Sequence, residues 1–197
     1  MSSPELGIAS ASPPTAEQAH ADVDARQMAR LLHVSAVSVF VADRRTGELR
    51  SAAASHPAAR ELDAIQASVH DGPAYAALRD GEALSTAIHG AADARWPVFT
   101  KAMDGSSFAG ASAVPVMRDG HATGVMMLYS QRAVGLRPTS SHYALARLLA
   151  SALVAAAVRE EAMRDLRDTI AGLGALLDRV NRLVQDGAAG VAAVSQD

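Results

Sequence analysis

Apolar and polar positions alternate through residues 35–41: Val37, Val39 and Val41 fall on one side, Ala36, Ser38 and Phe40 on the other. A period of two predicts a strand. The turn-forming run Asp43-Arg44-Arg45-Thr46-Gly47 follows, and residues 48–55 read as the returning strand. On either side of this pair the period becomes helical. Thr15 and Gln18 have capping-box spacing and open a helix over residues 16–32, with Ala19, Val23, Met28, Leu31 and Leu32 leaning to one side. Pro57 opens a second helix to about Val69, with Leu62, Ile65 and Val69 at helical spacing. His70-Asp71-Gly72-Pro73 breaks it. Short helices follow at residues 74–78 and from Trp96-Pro97-Val98-Phe99, with a short strand at 83–85 between them.

The sharpest local signal is Asp119-Gly120, set between the strand-like residues 108–118 and 121–130. A two-residue Asp-Gly loop favours a type I′ hairpin. It predicts Arg118 opposite His121, Val116 opposite Thr123 and Pro115 opposite Gly124. Pro115 has no N–H to offer the next strand, so a bulge or a break in pairing is expected there.

Pro138-Thr139-Ser140 caps the last element, a helix over residues 141–185 in which only Gly172 and Gly174 are unfavourable, at about 1 kcal/mol each. Met163, Leu166, Ile170, Leu173, Leu177, Val180 and Val184 alternate in steps of three and four, which is a heptad seam. Leu176 and Leu183 widen it toward a bundle-like stripe. Leu145, Leu149 and Ala152 carry the same face toward the N-terminus. A helix folded back on its own domain would show such a stripe too, but the unbroken run favours a parallel dimer. Three heptads alone would make a marginal coil. The chain thus reads as a disordered Ser/Ala/Pro-rich arm (1–14), one domain (15–159), a heptad helix (160–186) and a frayed tail (187–197).

Composition narrows the chemistry. The 197 residues contain no cysteine, which removes disulfides, thiolate ligands and cysteine nucleophiles together. Eighteen Lys+Arg against 21 Asp+Glu leave a net charge of −3, unlike a free-standing nucleic-acid binder. The apolar fraction is 49%, with alanine its largest share and aromatics only 4% of the chain, so the core is thin per residue and invites a partner chain. Residues 1–14 lack the basic and apolar regions of a secretory signal. The most apolar run, 145–158, is short and carries Arg147, so a soluble cytoplasmic protein is expected. Of the seven histidines no two have the i,i+4 spacing of a helical metal pair, and no metal site is expected. No Gly-rich phosphate loop and no Gly-x-Ser-x-Gly elbow occurs, and an enzyme is not expected.

The order of elements matches an α+β antiparallel sheet with helices on its faces. Several segments, in order, are Asp71-Gly72-Pro73 with Ala77-Leu78, Arg95-Trp96-Pro97 with Phe99, Ser112-Ala113-Val114-Pro115-Val116, Asp119-Gly120, and Gly124-Val125-Met126-Met127-Leu128-Tyr129-Ser130. Together they resemble the GAF domain of actinobacterial GAF–ANTAR regulators, over about residues 16–159. The resemblance implies a five- or six-stranded antiparallel sheet, first and last helices on one face, and ligands held against the other under the short helices. It implies a sensory or regulatory role in signal transduction or transcription. Residues 167–179 are similar to the opening of the ANTAR module, which binds RNA hairpins in antitermination. The rest of that module is expected to be truncated or degenerate here. Between residues 159 and 186, five arginines face six acids with no stacking aromatic, so RNA binding is not expected. The sulfoxide-reductase and bilin versions of the fold depend on cysteine in the best-known cases, and this chain has none.

By the same resemblance Tyr75, Trp96, Phe99 and Phe108 surround the cavity, with Ser38 and Phe40 lining it from the first strand. Two readings stand: a small-molecule pocket lined by aromatics, or aromatics filling space in an alanine-rich core. No cofactor is assigned. The expected partners are a second copy of the chain, a small molecule, and a related GAF–ANTAR regulator; neither nucleic acid nor a membrane is expected.

Overall fold

The computed structural model describes residues 16–43, 45–87, 94–132 and 140–194. The arm 1–14, Thr15 of the capping box and His89 lie outside the described residues, as does the Pro138-Thr139 part of the last cap. The described chain divides between Ala157 and Val158 into two compact units.

The first unit is built on one antiparallel sheet in the order β2-β1-β5-β4-β3. Its strands are β1 (Ala36–Ala42), β2 (Leu49–Ala54), β3 (Leu84–Ala87), β4 (Gly110–Arg118) and β5 (His121–Ser130). Helices α2 (Pro57–Val69), α3 (Pro73–Asp80) and α4 (Pro97–Asp104) pack over one face; α1 (Ala16–Leu31) and the start of α5 (Ser141–Val194) lie on the other. Each of α2, α3 and α4 begins on a proline, whose fixed φ suits the first helical position and whose missing N–H costs nothing there.

The hairpin turns as the Asp-Gly pair demands, with φ of 52° at Asp119 and 81° at Gly120. Arg118 pairs with His121, but the register then slips between Met117 and Val116. Thr123 becomes the extra residue, Val116 pairs with Gly124 and Pro115 with Val125. The expected bulge therefore sits one step nearer the turn, where the Thr123 hydroxyl donates to the Val116 carbonyl at 3.3 Å. Pairing with β3 runs only from Gly110 to Ala113, so Pro115 lies beyond the ladder its missing N–H would have joined. A second slip separates Val39, opposite Ala53, from Phe40, opposite Ser51, and leaves Ala52 unpaired. Since a one-residue shift exchanges the two faces of a strand, this bulge turns Ser51 to the face that carries Ser38 and Phe40.

Helix α1 and the residue after it bury only part of the expected face. Ala25, Ala29 and Leu32 point inward, while Val23 and Leu31 are exposed. Small side chains let α1 approach β1 and β2 closely, and the bulkier residues are turned out. Asp22 fixes the helix: its Oδ1 accepts the Ala54 N–H at 2.9 Å, and both oxygens accept from Arg60 Nη2 at 2.7 Å. Arg60 is one-third exposed, so screening trims the ion pair. We expect Asp22→Ala to lower the unfolding free energy by about 2 kcal/mol and Asp22→Asn by less, since the amide oxygen still caps Ala54; urea titration checks both.

At the start of α5, Ala146, Ala150, Leu153 and Val154 are buried. Leu145 and Ala152 face outward with Leu148, and Leu149 is half-buried. By length and composition alone α5 contains a stretch able to cross a membrane, of which 22% is buried within the protein. The second unit is the continuation of α5, which stays helical through Val194, past the Gly187 where the sequence predicts fraying. There the seam residues Met163, Leu166, Ile170, Leu173, Leu177 and Val180 are exposed; the side chain of Val184 lies outside the described ones.

Candidate functional site

The helix-covered face of the sheet holds both the bulk and the unusual polar groups of the protein. Phe40, Trp96, Phe99, Phe108, Met103, Met127 and Tyr129 form one buried cluster, and Tyr75 packs against it half-buried. The six residues expected to line a cavity are thus gathered on this face, with Ser38 fully buried beside Phe40 in β1. Phe108 stacks on Tyr129 with ring centroids 5.0 Å apart and an interplanar angle of 25°. His56 meets Phe108 edge-on at 5.7 Å, while its Nδ1 accepts the Ala58 N–H and caps α2. Arg95 lies over the Trp96 ring at 4.2 Å.

The polar groups come from α2, whose buried face is Ala59, Leu62, Asp63 and Gln66. Asp63 is completely buried, yet its carboxylate is met by three hydroxyls from three strands. Ser38 donates to Oδ1 at 2.8 Å, Tyr129 to Oδ1 at 3.1 Å, and Ser51 to Oδ2 at 3.0 Å. The helix is riveted by this group to β1, β5 and β2. Burial pushes the Asp63 carboxyl up to about 7, against the downward pull of the three donors and of Arg60. Burial also drives the Tyr129 phenol well above its ordinary value, helped by the neighbouring carboxylate.

One turn further on, Gln66 is equally buried. Its Oε1 accepts the Ala74 N–H at 2.9 Å and so caps the start of α3. Its Nε2 is the one buried side-chain nitrogen or oxygen without a partner among the described residues. Flipping the amide offers no remedy, because Nε2 and the Ala74 N–H are both donors. Gly72 makes room for this side chain: its φ is 130°, and a Cβ there would lie 2.6 Å from Gln66 Oε1.

Neither Asp63 nor Gln66 belongs to the apolar set Leu62, Ile65 and Val69 that marks α2 in the sequence. The usable signal was the spacing 59, 62, 63, 66 itself, together with Ser38 on β1 and Tyr129 on β5. Ser38 and Ser51 both commit their hydroxyl protons to the Asp63 carboxylate, which ties β1 and β2 to α2. Among the described residues no group of three His, Asp or Glu is arranged to hold a metal ion.

Solved structures match the architecture. A domain of a sensor histidine kinase from Sinorhizobium meliloti superposes with a TM-score of 0.56 at 17% identity, covering 78% of this chain and 99% of that one. The fold is that of GAF domains. The GAF domain of a phosphoenolpyruvate-protein phosphotransferase from Coxiella burnetii gives 0.56 at 16% identity, over 78% and 89% of the two chains. A free methionine-R-sulfoxide reductase from Thermoplasma acidophilum gives 0.52 at 14%, over 72% and 92%. Neither a protein-family model nor a curated protein matches the sequence. At these identities the likeness is one of GAF fold, carried by the five-stranded sheet and its flanking helices.

Proposed function

We propose that this chain is a non-enzymatic, cytoplasmic GAF-type sensory module that takes a small molecule on its helix-covered face and signals through α5. The observation that carries the reading is Gln66 Nε2, a buried donor with no acceptor among the described residues. Leaving such a group unpaired costs about 1–3 kcal/mol, and a ligand carbonyl or ring nitrogen would satisfy it. Ser38, Phe40, Tyr75, Trp96, Phe99 and Phe108 would supply the walls. The sensor-kinase and phosphotransferase neighbours favour a regulatory role, and the absence of cysteine favours one without catalysis. The apolar start of α5 is read as a core helix, because Ala146, Ala150, Leu153 and Val154 are buried. Copies would pair through Leu145, Leu149, Ala152 and the seam from Met163 to Val184.

A thermal-shift panel of nucleotides, haem and common metabolites tests the pocket. At least one compound is expected to raise Tm by several degrees, and Gln66→Leu is expected to abolish that shift. A flat response to the whole panel would make the aromatics simply core. The exposed seam also favours a second reading: a GAF–ANTAR antiterminator that has lost its RNA module and works by protein contacts. Co-purification with an intact GAF–ANTAR protein would support it, and binding to RNA stem-loops at low salt would replace it with an RNA binder.

A further inference from the structure

We propose that the pairs read above join two by two, so that the helical segment 158–194 forms a four-helix bundle of four copies of this chain and does not stop at a two-stranded coil. The inference rests on the self-association read above and specifies its order. With Met163, Ile170 and Leu177 at heptad positions a, and Leu166, Leu173 and Val180 at d, Leu176 and Leu183 fall at g. From Met163 to Leu183 these eight side chains are between 46% and 66% exposed. A two-stranded coil covers a and d alone, and its flanking e and g positions are normally charged. A helix inside a bundle carries a third apolar position in each heptad.

The flanks here are of the second kind. The g positions 162, 169, 176 and 183 are Ala, Thr, Leu and Leu, and the e positions 167, 174 and 181 are Arg, Gly and Asn. Apart from Arg167, the charged residues from Glu161 to Arg182 all fall at b, c and f, on the side away from the seam. In a two-stranded coil Leu176 and Leu183 would stay half in water; two more helices cover them. At Gly174 a Cβ would meet nothing within 4 Å, so the e flank is open to a close neighbour.

The occupant is the chain's own copy. Charges at e and g are what select a foreign partner, and from residue 162 to 183 this face carries one, Arg167. Five arginines against six acids leave the helix nearly neutral, so copies do not repel one another. Each copy also repeats the same heptad register.

Native mass spectrometry and sedimentation of the full chain decide the matter. The wild type is expected at the mass of four 20.3 kDa chains. Leu176→Lys with Leu183→Lys is expected to halve that mass, and Ile170→Lys with Leu177→Lys to yield monomers. Asp168→Lys, at an f position, should leave it unchanged. Far-UV circular dichroism and the Tm of each variant establish that the fold survives. A wild-type dimer overturns the bundle while leaving a dimeric sensor standing; a monomer overturns both. A tetramer that survives Leu176→Lys with Leu183→Lys also overturns it, because another surface then holds the copies.

Discussion

The wild-type protein is expected to lose on the order of 4 kcal/mol of stability as pH rises from about 4 to about 8, and Asp63→Asn is expected to remove that loss. The native Asp63 carboxyl titrates near 7 against an ordinary value of 3.8. The sign follows from proton binding. Between those values the folded state holds a proton that the unfolded state has released, so raising the pH favours unfolding. The contribution is fully present below pH 4 and is gone above the native value near 7. Three units of difference correspond to about 4 kcal/mol, without discount for screening because the group has no exposed surface. The site favours the neutral form because it is fully buried, and the three hydroxyls, although they pull the other way, do not lock the charged form in place. Each can rotate to accept when the carboxyl carries a proton, whereas an arginine or a backbone N–H could not. Asparagine keeps the shape and a neutral polar group, so the variant should match the wild type below about pH 4 and exceed it increasingly up to pH 8. Urea titrations at five pH values test this on the difference between the two proteins, which cancels the histidines. A difference independent of pH would refute it.

Gly124→Ala is expected to destabilise by about 3 kcal/mol. Gly124 lies between Val41 of β1 and Val116 of β4, just past the Thr123 bulge. A Cβ added there would stand 2.5 Å from the Phe40 carbonyl oxygen and 2.9 and 3.0 Å from the two Val154 methyls. The methyls can yield, but the carbonyl belongs to a central strand whose shift would disturb pairing on both sides. Overpacking of this kind typically costs about 1–3 kcal/mol, and backbone involvement places this case at the upper end. Chemical denaturation of Gly124→Ala, with and without Val154→Ala, separates the two contacts. Trimming Val154 should recover little, since the Phe40 oxygen stays where it is. A loss under about 0.5 kcal/mol would mean that the sheet accommodates the methyl freely.

Both sites bear on what the amino-acid pattern discloses. The strands, the hairpin turn and two of the proline-started helices were legible, because each rests on local rules: alternation, positive φ at Asp119 and Gly120, and a fixed φ at Pro57 and Pro97; Pro73 reads as a breaker but opens α3. The gathering of Phe40, Trp96, Phe99 and Phe108 on one face was legible through resemblance to the GAF pattern. The bulge at Thr123 was legible to within one step, through Pro115; the bulge at Ala52 was not, because nothing in that residue marks it as unpaired. The inner face of α1 was hidden by alanine, which is apolar enough to bury and small enough to blur any stripe. Asp63 and Gln66 escaped because a search for apolar periodicity discards polar residues, although their spacing matches the helix face.

The two bounding strands of the sheet have a further consequence, for solubility. Backbone groups along an unpaired strand invite another strand to add to them, and identical chains held near one another raise that hazard. β3 is only four residues long. β2 is interrupted by its bulge at Ala52 and presents the exposed Arg50 beside it. A short border on one side and a kinked, charged one on the other leave little straight template for a neighbouring sheet. The same extra residue that delivers Ser51 to Asp63 therefore also guards the protein against growing edge to edge into an aggregate.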